Sequence, residues 1–167
     1  IRDSDNGVRG DSTVEKISKL RPAFDRKNGT LTAANSSFLT DGAAAVLLMT
    51  EEKAKELGLT PKAEIVDFTF TGQRIEDELL LGPTYATSKL LKKTGFSLED
   101  MDVIEFHEAF AGQILANLKC LASDEFAKEN LGRDEAVGQV NMEKFNLWGG
   151  SLSVSYTHLR AHETCGH

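Results

Sequence analysis

Glu105-Phe106-His107-Glu108-Ala109-Phe110 stands where one pattern of the chain ends and another begins. Met101 to Phe106 reads as a short strand, and from about Ala111 apolar residues recur at helical spacing. A His-Glu pair is thus expected at the carboxyl end of a strand, on the turn into a helix, the edge at which open α/β sheets place ligands and catalytic groups. A surface ion pair or a structural histidine is the commoner meaning of two such neighbours. The rest of the chain has to decide between them.

Working outward, the following segment predicts a helix over 111–122. At roughly 100° per residue, Ile114, Leu115, Leu118 and Leu121 share one face and Cys120 falls beside Gln113, away from it. Upstream, Ser97-Leu-Glu-Asp100 is a capping-type turn, and Pro83 opens a helix that carries Lys92-Lys93 near its end and Gly95 as its stop. Charged residues at 72–82 mark a boundary. Before it, Ala63 to Phe70 alternates like a strand, and Thr50 caps a helix over Glu51–Leu57 that Gly58 ends. Ala43 to Met49 is a short unbroken apolar run, expected to be a strand buried on both faces. Strand, helix and strand in that order predict a βαβ unit, and the alternation through the chain predicts α/β architecture.

Thr30 to Phe38 is small and hydroxyl-rich, a loop that lets another molecule approach the backbone. Thr13 to Leu20 predicts a helix ended by Arg21-Pro22, Asn28-Gly29 a turn, and Asn146-Leu-Trp-Gly-Gly150 a tight glycine turn.

Composition bounds what such a fold does. The 167 residues, 40% hydrophobic and 27% charged, suffice for one domain's core. A net charge of −7 argues against a nucleic-acid binder. Residues 1–30 nonetheless carry a net +2, which suits a small anionic ligand or a solvated charged face. No run approaches a membrane span. The chain opens on Ile1 with no leader-like segment, as an internal piece of a longer protein would. Two cysteines, Cys120 and Cys165, make no disulfide framework and fit a reducing compartment. Cys120 has no neighbouring charge that favours thiolate and reads as a small flanking residue. The spacing of His158, His162, Cys165 and His167 does not match a metal site.

Five ordered motifs then carry a resemblance. Leu20-Arg-Pro-Ala-Phe24, Gly29-Thr-Leu-Thr-Ala-Ala-Asn-Ser-Ser37, Asp41-Gly-Ala-Ala-Ala45, Phe106-His-Glu-Ala-Phe110 and Asn146-Leu-Trp-Gly-Gly150 closely resemble thiolases, over residues 5–153. His107 stands where most thiolases have Asn. With Leu80–Thr87 and Gly112–Asn117 it resembles the 3-ketoacyl-CoA branch, the β-subunit type that works in mitochondrial fatty-acid β-oxidation.

The resemblance implies parts of two βαβ-type core domains: residues 1–37 as the end of the coenzyme-binding loop region, 38–72 as the end of the first core domain, 73–153 as the first half of the second, and 154–167 as a tail foreign to the family. It implies acyl transfer from 3-ketoacyl-CoA to coenzyme A, with coenzyme A as co-substrate and no cofactor bound permanently. It also implies acyl-CoA substrates, a homodimer, a hydratase/dehydrogenase α subunit as partner, no nucleic acid, and a mitochondrial location. Carried over by position, His107 holds the oxyanion-hole water, Glu108 orients that network, Ser37 contacts the pantetheine, and Arg9 lies near the coenzyme's nucleotide end. Beside these stand plainer readings: Ser37 as a turn cap, Arg9 as a solvated charge, Asn35 as a turn former.

Thiolysis needs a cysteine nucleophile, an oxyanion hole and a second cysteine to move a proton. The family's nucleophile lies upstream of every motif here. Its Gly-His-Pro histidine and second cysteine are not recognisable in Val154–His167. The chain therefore reads as an incomplete thiolase without activity of its own, the alternative being a non-catalytic CoA- or lipid-binding thiolase-like protein.

Overall fold

The structure, a computed structural model, describes residues 11–39 and 43–152. Arg9, Asp41-Gly42 and the tail that holds Cys165 and its neighbouring histidines lie outside them.

Helices form where their start and stop signals are. Thr13 caps α1 (Val14–Ile17), its hydroxyl accepting from the Lys16 N–H. Thr50 does the same for α2 (Glu51–Glu56) through Lys53 N–H, and Gly58 leaves in the left-handed region at φ 66°. A 3₁₀ turn (Leu79–Leu81) leads into α3 (Gly82–Thr94), with Pro83 in the first turn and Gly95 at φ 77° closing it. Then come α4 (Ala111–Leu121), a short α5 (Asp124–Phe126) that continues as a π turn (Ala127–Leu131), and a 3₁₀ turn at Met142–Lys144.

The centre of the structure is the α3–α4 pair. Thr84, Ser88 and Leu91 make the buried stripe of α3; Gln113, Ile114, Asn117 and Leu121 make that of α4. Two fully buried polar residues join the helices. Asn117 Oδ1 accepts from both the backbone N–H (3.0 Å) and the hydroxyl (2.8 Å) of Thr84, and its Nδ2 donates to Leu80 O and Gln113 O. Every polar atom of the Asn117 amide is used, so burying it costs little and fixes the helix register. This corrects the periodicity reading in one place: Leu115 is 67% exposed, and Asn117 and Gln113 take the buried positions.

Against that pair lies the apolar cluster of Leu91, Leu98, Ile104, Ile114 and Phe145, with Met101, Phe106, Leu118, Val137 and Val140 partly buried around it. Position 104 is held by a parallel bridge to Phe145, Ile104 N donating to Lys144 O and Asn146 N to Ile104 O, both at 2.8 Å. Lys144 Nζ also ties Met101 O and Glu99 O.

The expected strands over 43–49, 63–70 and 101–106 are a second correction. Among the described residues, β pairing is limited to two isolated bridges, Ile104 with Phe145 and Ser36 with Phe110. The first two runs carry no regular structure, and Val46, Leu47, Leu48, Ile65, Val66, Phe68 and Phe70 are each 64% exposed or more. A strand buried on both faces gains its stability from neighbouring strands and covering helices. Neither run meets such neighbours among the described residues.

Candidate active-site turn

Residues 105–110 leave the Ile104 bridge and run directly into α4. The site is built where this turn meets the glycine turn at 146–152. Asn146, at φ 46°, spans the backbone of Phe106 with its amide: Oδ1 accepts from Phe106 N (2.9 Å) and Nδ2 donates to Phe106 O (3.1 Å). The same Nδ2 donates to Glu108 Oε1 at 2.7 Å, and the Leu152 N–H reaches Glu108 Oε2 at 3.2 Å. Between these anchored neighbours stands His107, an exposed residue whose Nδ1 lies 2.8 Å from the Ser151 hydroxyl. Ser151 itself is only 5% exposed.

The glycines divide the work. Gly149 adopts φ 85°, which a side chain disfavours. Gly150 supplies space instead, because a Cβ there would overlap the Glu108 carboxylate. The carboxylate is thereby held as a hydrogen-bond acceptor at the base of the turn, while His107 is presented above it.

The hydroxyl-rich loop closes on the other side. Ser37 N donates to Ala109 O (2.8 Å), Ala111 N donates to Asn35 O (3.0 Å), and Ser36 bridges Phe110 in antiparallel fashion. Phe24 meets Phe110 edge to face. Asn35 acts as the turn former its residue type implied, accepting from Thr32 N and donating to Thr30 O. Three of the four sequence-derived candidates, Ser37, His107 and Glu108, are thus brought within one short backbone neighbourhood; Arg9 lies outside the described residues. Sequence reasoning did not single out Asn146 and Ser151. The signal that could have found Asn146 is its place at the head of the Asn-x-x-Gly-Gly turn. Ser151 carries none, since nothing local says that a serine after two glycines faces a histidine 44 positions earlier.

Cys120 lies in α4 and is partly buried. Burial first, then the Glu78 charge, push its thiol above the ordinary range, with Lys119 working the other way. A raised thiol is a poor nucleophile at neutral pH. Tyr85, whose hydroxyl donates to Glu78 Oε2 at 2.6 Å, is likewise pushed up, mainly by burial and then by that bond. Among the described residues no group of His, Cys, Asp and Glu side chains could hold a metal ion.

The loop at 35–37 and the glycine turn at 146–152 are thus both clamped to the one His-Glu turn that runs into α4. The thiolase N-terminal domain matches residues 1–52 and the thiolase C-terminal domain residues 59–158. The chain belongs to the thiolase family. It is 58% identical over 152 residues to the mitochondrial trifunctional enzyme subunit beta of Bos taurus, covering 91% of this chain and 32% of that one. It is 55% identical over 154 residues to a 3-ketoacyl-CoA thiolase of Photobacterium profundum, covering 92% and 35%. Human mitochondrial 3-ketoacyl-CoA thiolase in complex with CoA superposes with a TM-score of 0.70 at 32% identity, over 92% of this chain and 34% of that one. The chain spans about a third of the length of the curated relatives it matches.

Proposed function

We propose that the protein carrying this chain is a 3-ketoacyl-CoA thiolase of fatty-acid β-oxidation. In that reaction a cysteine thiolate attacks the 3-keto carbon of the substrate and the C2–C3 bond breaks. The two-carbon unit leaves as an enolate that takes up a proton to become acetyl-CoA, and coenzyme A then accepts the shortened acyl group. In this reading His107 offers a hydrogen bond, directly or through a water, to the oxyanion that develops along the way. Glu108 fixes the turn on which His107 stands. Ser37 contacts the pantetheine arm, and Arg9 lies toward the nucleotide end. Residues 1–37 end the coenzyme loop, and the rest of the chain carries the end of the first core domain and the beginning of the second.

The observation that supports the reading most is the joint clamping of the Ser37 loop and the Ser151 turn onto the His107-Glu108 segment. It brings a proposed coenzyme contact and a proposed oxyanion donor to one place. The identity to proteins named 3-ketoacyl-CoA thiolase supports it further. By the same likeness, the protein is a homodimer that associates with a hydratase/dehydrogenase α subunit in mitochondria. Its relatives include both mitochondrial and bacterial proteins.

The test follows loss of the 3-ketoacyl-CoA enolate absorbance on adding coenzyme A. The full-length protein is expected to turn over. Residues 1–167 alone are expected to show none, since no residue here matches the family's nucleophile. Coenzyme A binding by the full-length protein without turnover would overturn the enzymatic reading in favour of a binding protein.

A further inference from the structure

We infer that Ser151 is a positioning residue that fixes which nitrogen of His107 carries the hydrogen, an inference that rests on the thiolase reading above. A neutral imidazole has one N–H and one bare nitrogen, and the partner of either decides which is which. The Ser151 hydroxyl is buried, so it cannot turn to bulk water, and His107 Nδ1 lies 2.8 Å away as its hydrogen-bond partner. When Ser151 O–H donates to Nδ1, the ring hydrogen resides on Nε2. That places an N–H donor on the far edge of the ring, the polarity a developing oxyanion needs. The opposite tautomer would present a lone pair there and repel the charge. In serine proteases the wrong tautomer of a well-placed histidine abolishes most of the rate in the same way.

The register of the two residues is secured from both sides. Asn146 binds the backbone of Phe106, immediately before His107, and the carboxylate of Glu108, immediately after it. Glu108 in turn receives the N–H of Leu152, the residue after Ser151. Position 151 is therefore held against position 107 by bonds from the neighbours of each.

The experiment uses the full-length protein with ¹⁵N-labelled histidine. Long-range ¹⁵N–¹H correlation at a pH where the ring is neutral is expected to show the His107 hydrogen on Nε2. Ser151→Ala should shift it toward a mixture of tautomers, and Ser151→Thr, which keeps the hydroxyl, should retain it. In thiolysis, Ser151→Ala should lower kcat by roughly tenfold, the lower end of what losing an imidazole's orienting partner costs at metal sites, with KM nearly unchanged. Ser151→Thr should restore most of the rate. A hydrogen on Nδ1 in the unsubstituted protein would overturn the inference, whether or not the alanine variant folds. If His107→Ala collapses kcat while Ser151→Ala leaves it intact, the inference fails alone. If His107→Ala leaves kcat intact, the catalytic reading of His107 fails, and the inference with it.

Discussion

The Glu108 carboxylate occupies the space that a side chain at position 150 would need. Gly150→Ala is therefore expected to push the carboxylate away from Asn146 Nδ2 and Leu152 N–H. Overpacking of this kind costs roughly 1–3 kcal/mol. Urea unfolding of the full-length protein should show the lower midpoint, and Gly150→Ala combined with Glu108→Ala should recover part of it by vacating the space. If the single variant is as stable as the parent, the close packing of 108 against 150 is wrong.

His107→Ala is expected to lower kcat of the full-length enzyme roughly 10²–10³-fold, as removal of an oxyanion donor does, with a small change in KM. In the proposed reading, the charge it would meet exists only on the way to products. Ser37→Ala should do the opposite, weakening coenzyme A binding by about 1 kcal/mol, one ordinary hydrogen bond. Steady-state kinetics with varied coenzyme A separate the two. A His107→Ala enzyme that loses melting temperature but keeps its kcat would make the residue structural.

Thr84→Val keeps the shape of the side chain but removes the hydroxyl that donates to Asn117 Oδ1 inside the α3–α4 contact. With both residues at 0% exposure, no water can replace it, and a loss of about 1–3 kcal/mol is expected in chemical denaturation. Asn117→Ala should cost more, since it also strips the acceptor from Thr84 N–H and the donor from Leu80 O and Gln113 O. Equal stabilities for parent and Thr84→Val would mean that the network does not hold the helices.

Alkylation of Cys120 by iodoacetamide at pH 8, followed peptide by peptide, is expected to be slower in the folded protein than in the denatured one. Burial and the Glu78 charge raise the thiol, so its thiolate fraction, and with it the rate, increases only as pH climbs past the ordinary thiol range. The same sign governs stability. Above that range the unfolded chain ionises before the folded one, so folding weakens as pH rises. Glu78→Gln removes one of the two causes and should speed the reaction.

The exposed runs around Val46–Leu48 and Ile65–Phe70 predict self-association of the 167-residue chain. Sedimentation velocity is expected to show a distribution of oligomers, narrowed by placing lysines at Leu48 and Phe68. A single sharp monomer boundary for the unsubstituted chain would contradict this.

Helix ends were legible because each carries its own signal. Thr50, Pro83, Gly58 and Gly95 act through their own backbone or hydroxyl, whatever lies elsewhere in the fold. The His-Glu turn was legible for a similar reason, as a chemical pair on a change of periodicity. Strands were not, because a strand is a relation between segments: Ala43–Met49 has the composition of one and no ladder to join among the described residues. Leu115 was misplaced because helical spacing counts apolar residues and cannot foresee that Asn117, fully satisfied by Thr84, Leu80 and Gln113, would claim the interior. Ser151 was illegible for the reason the strands were, since its meaning lies in a partner 44 residues away, whereas the glycine turn announced Asn146 without naming its partners.

The bridge between Ser36 and Phe110 has a mechanical meaning. Loop and turn are fastened to each other by main-chain bonds on both sides of it, from Ser37 to Ala109 and from Ala111 to Asn35, with no slack segment between. In the proposed reading, a coenzyme arm settling on residues 30–38 would lean on the same frame that holds position 107. Docking and reaction would then share a single lever, and an inserted residue in the loop would be felt as misaim rather than as lost grip.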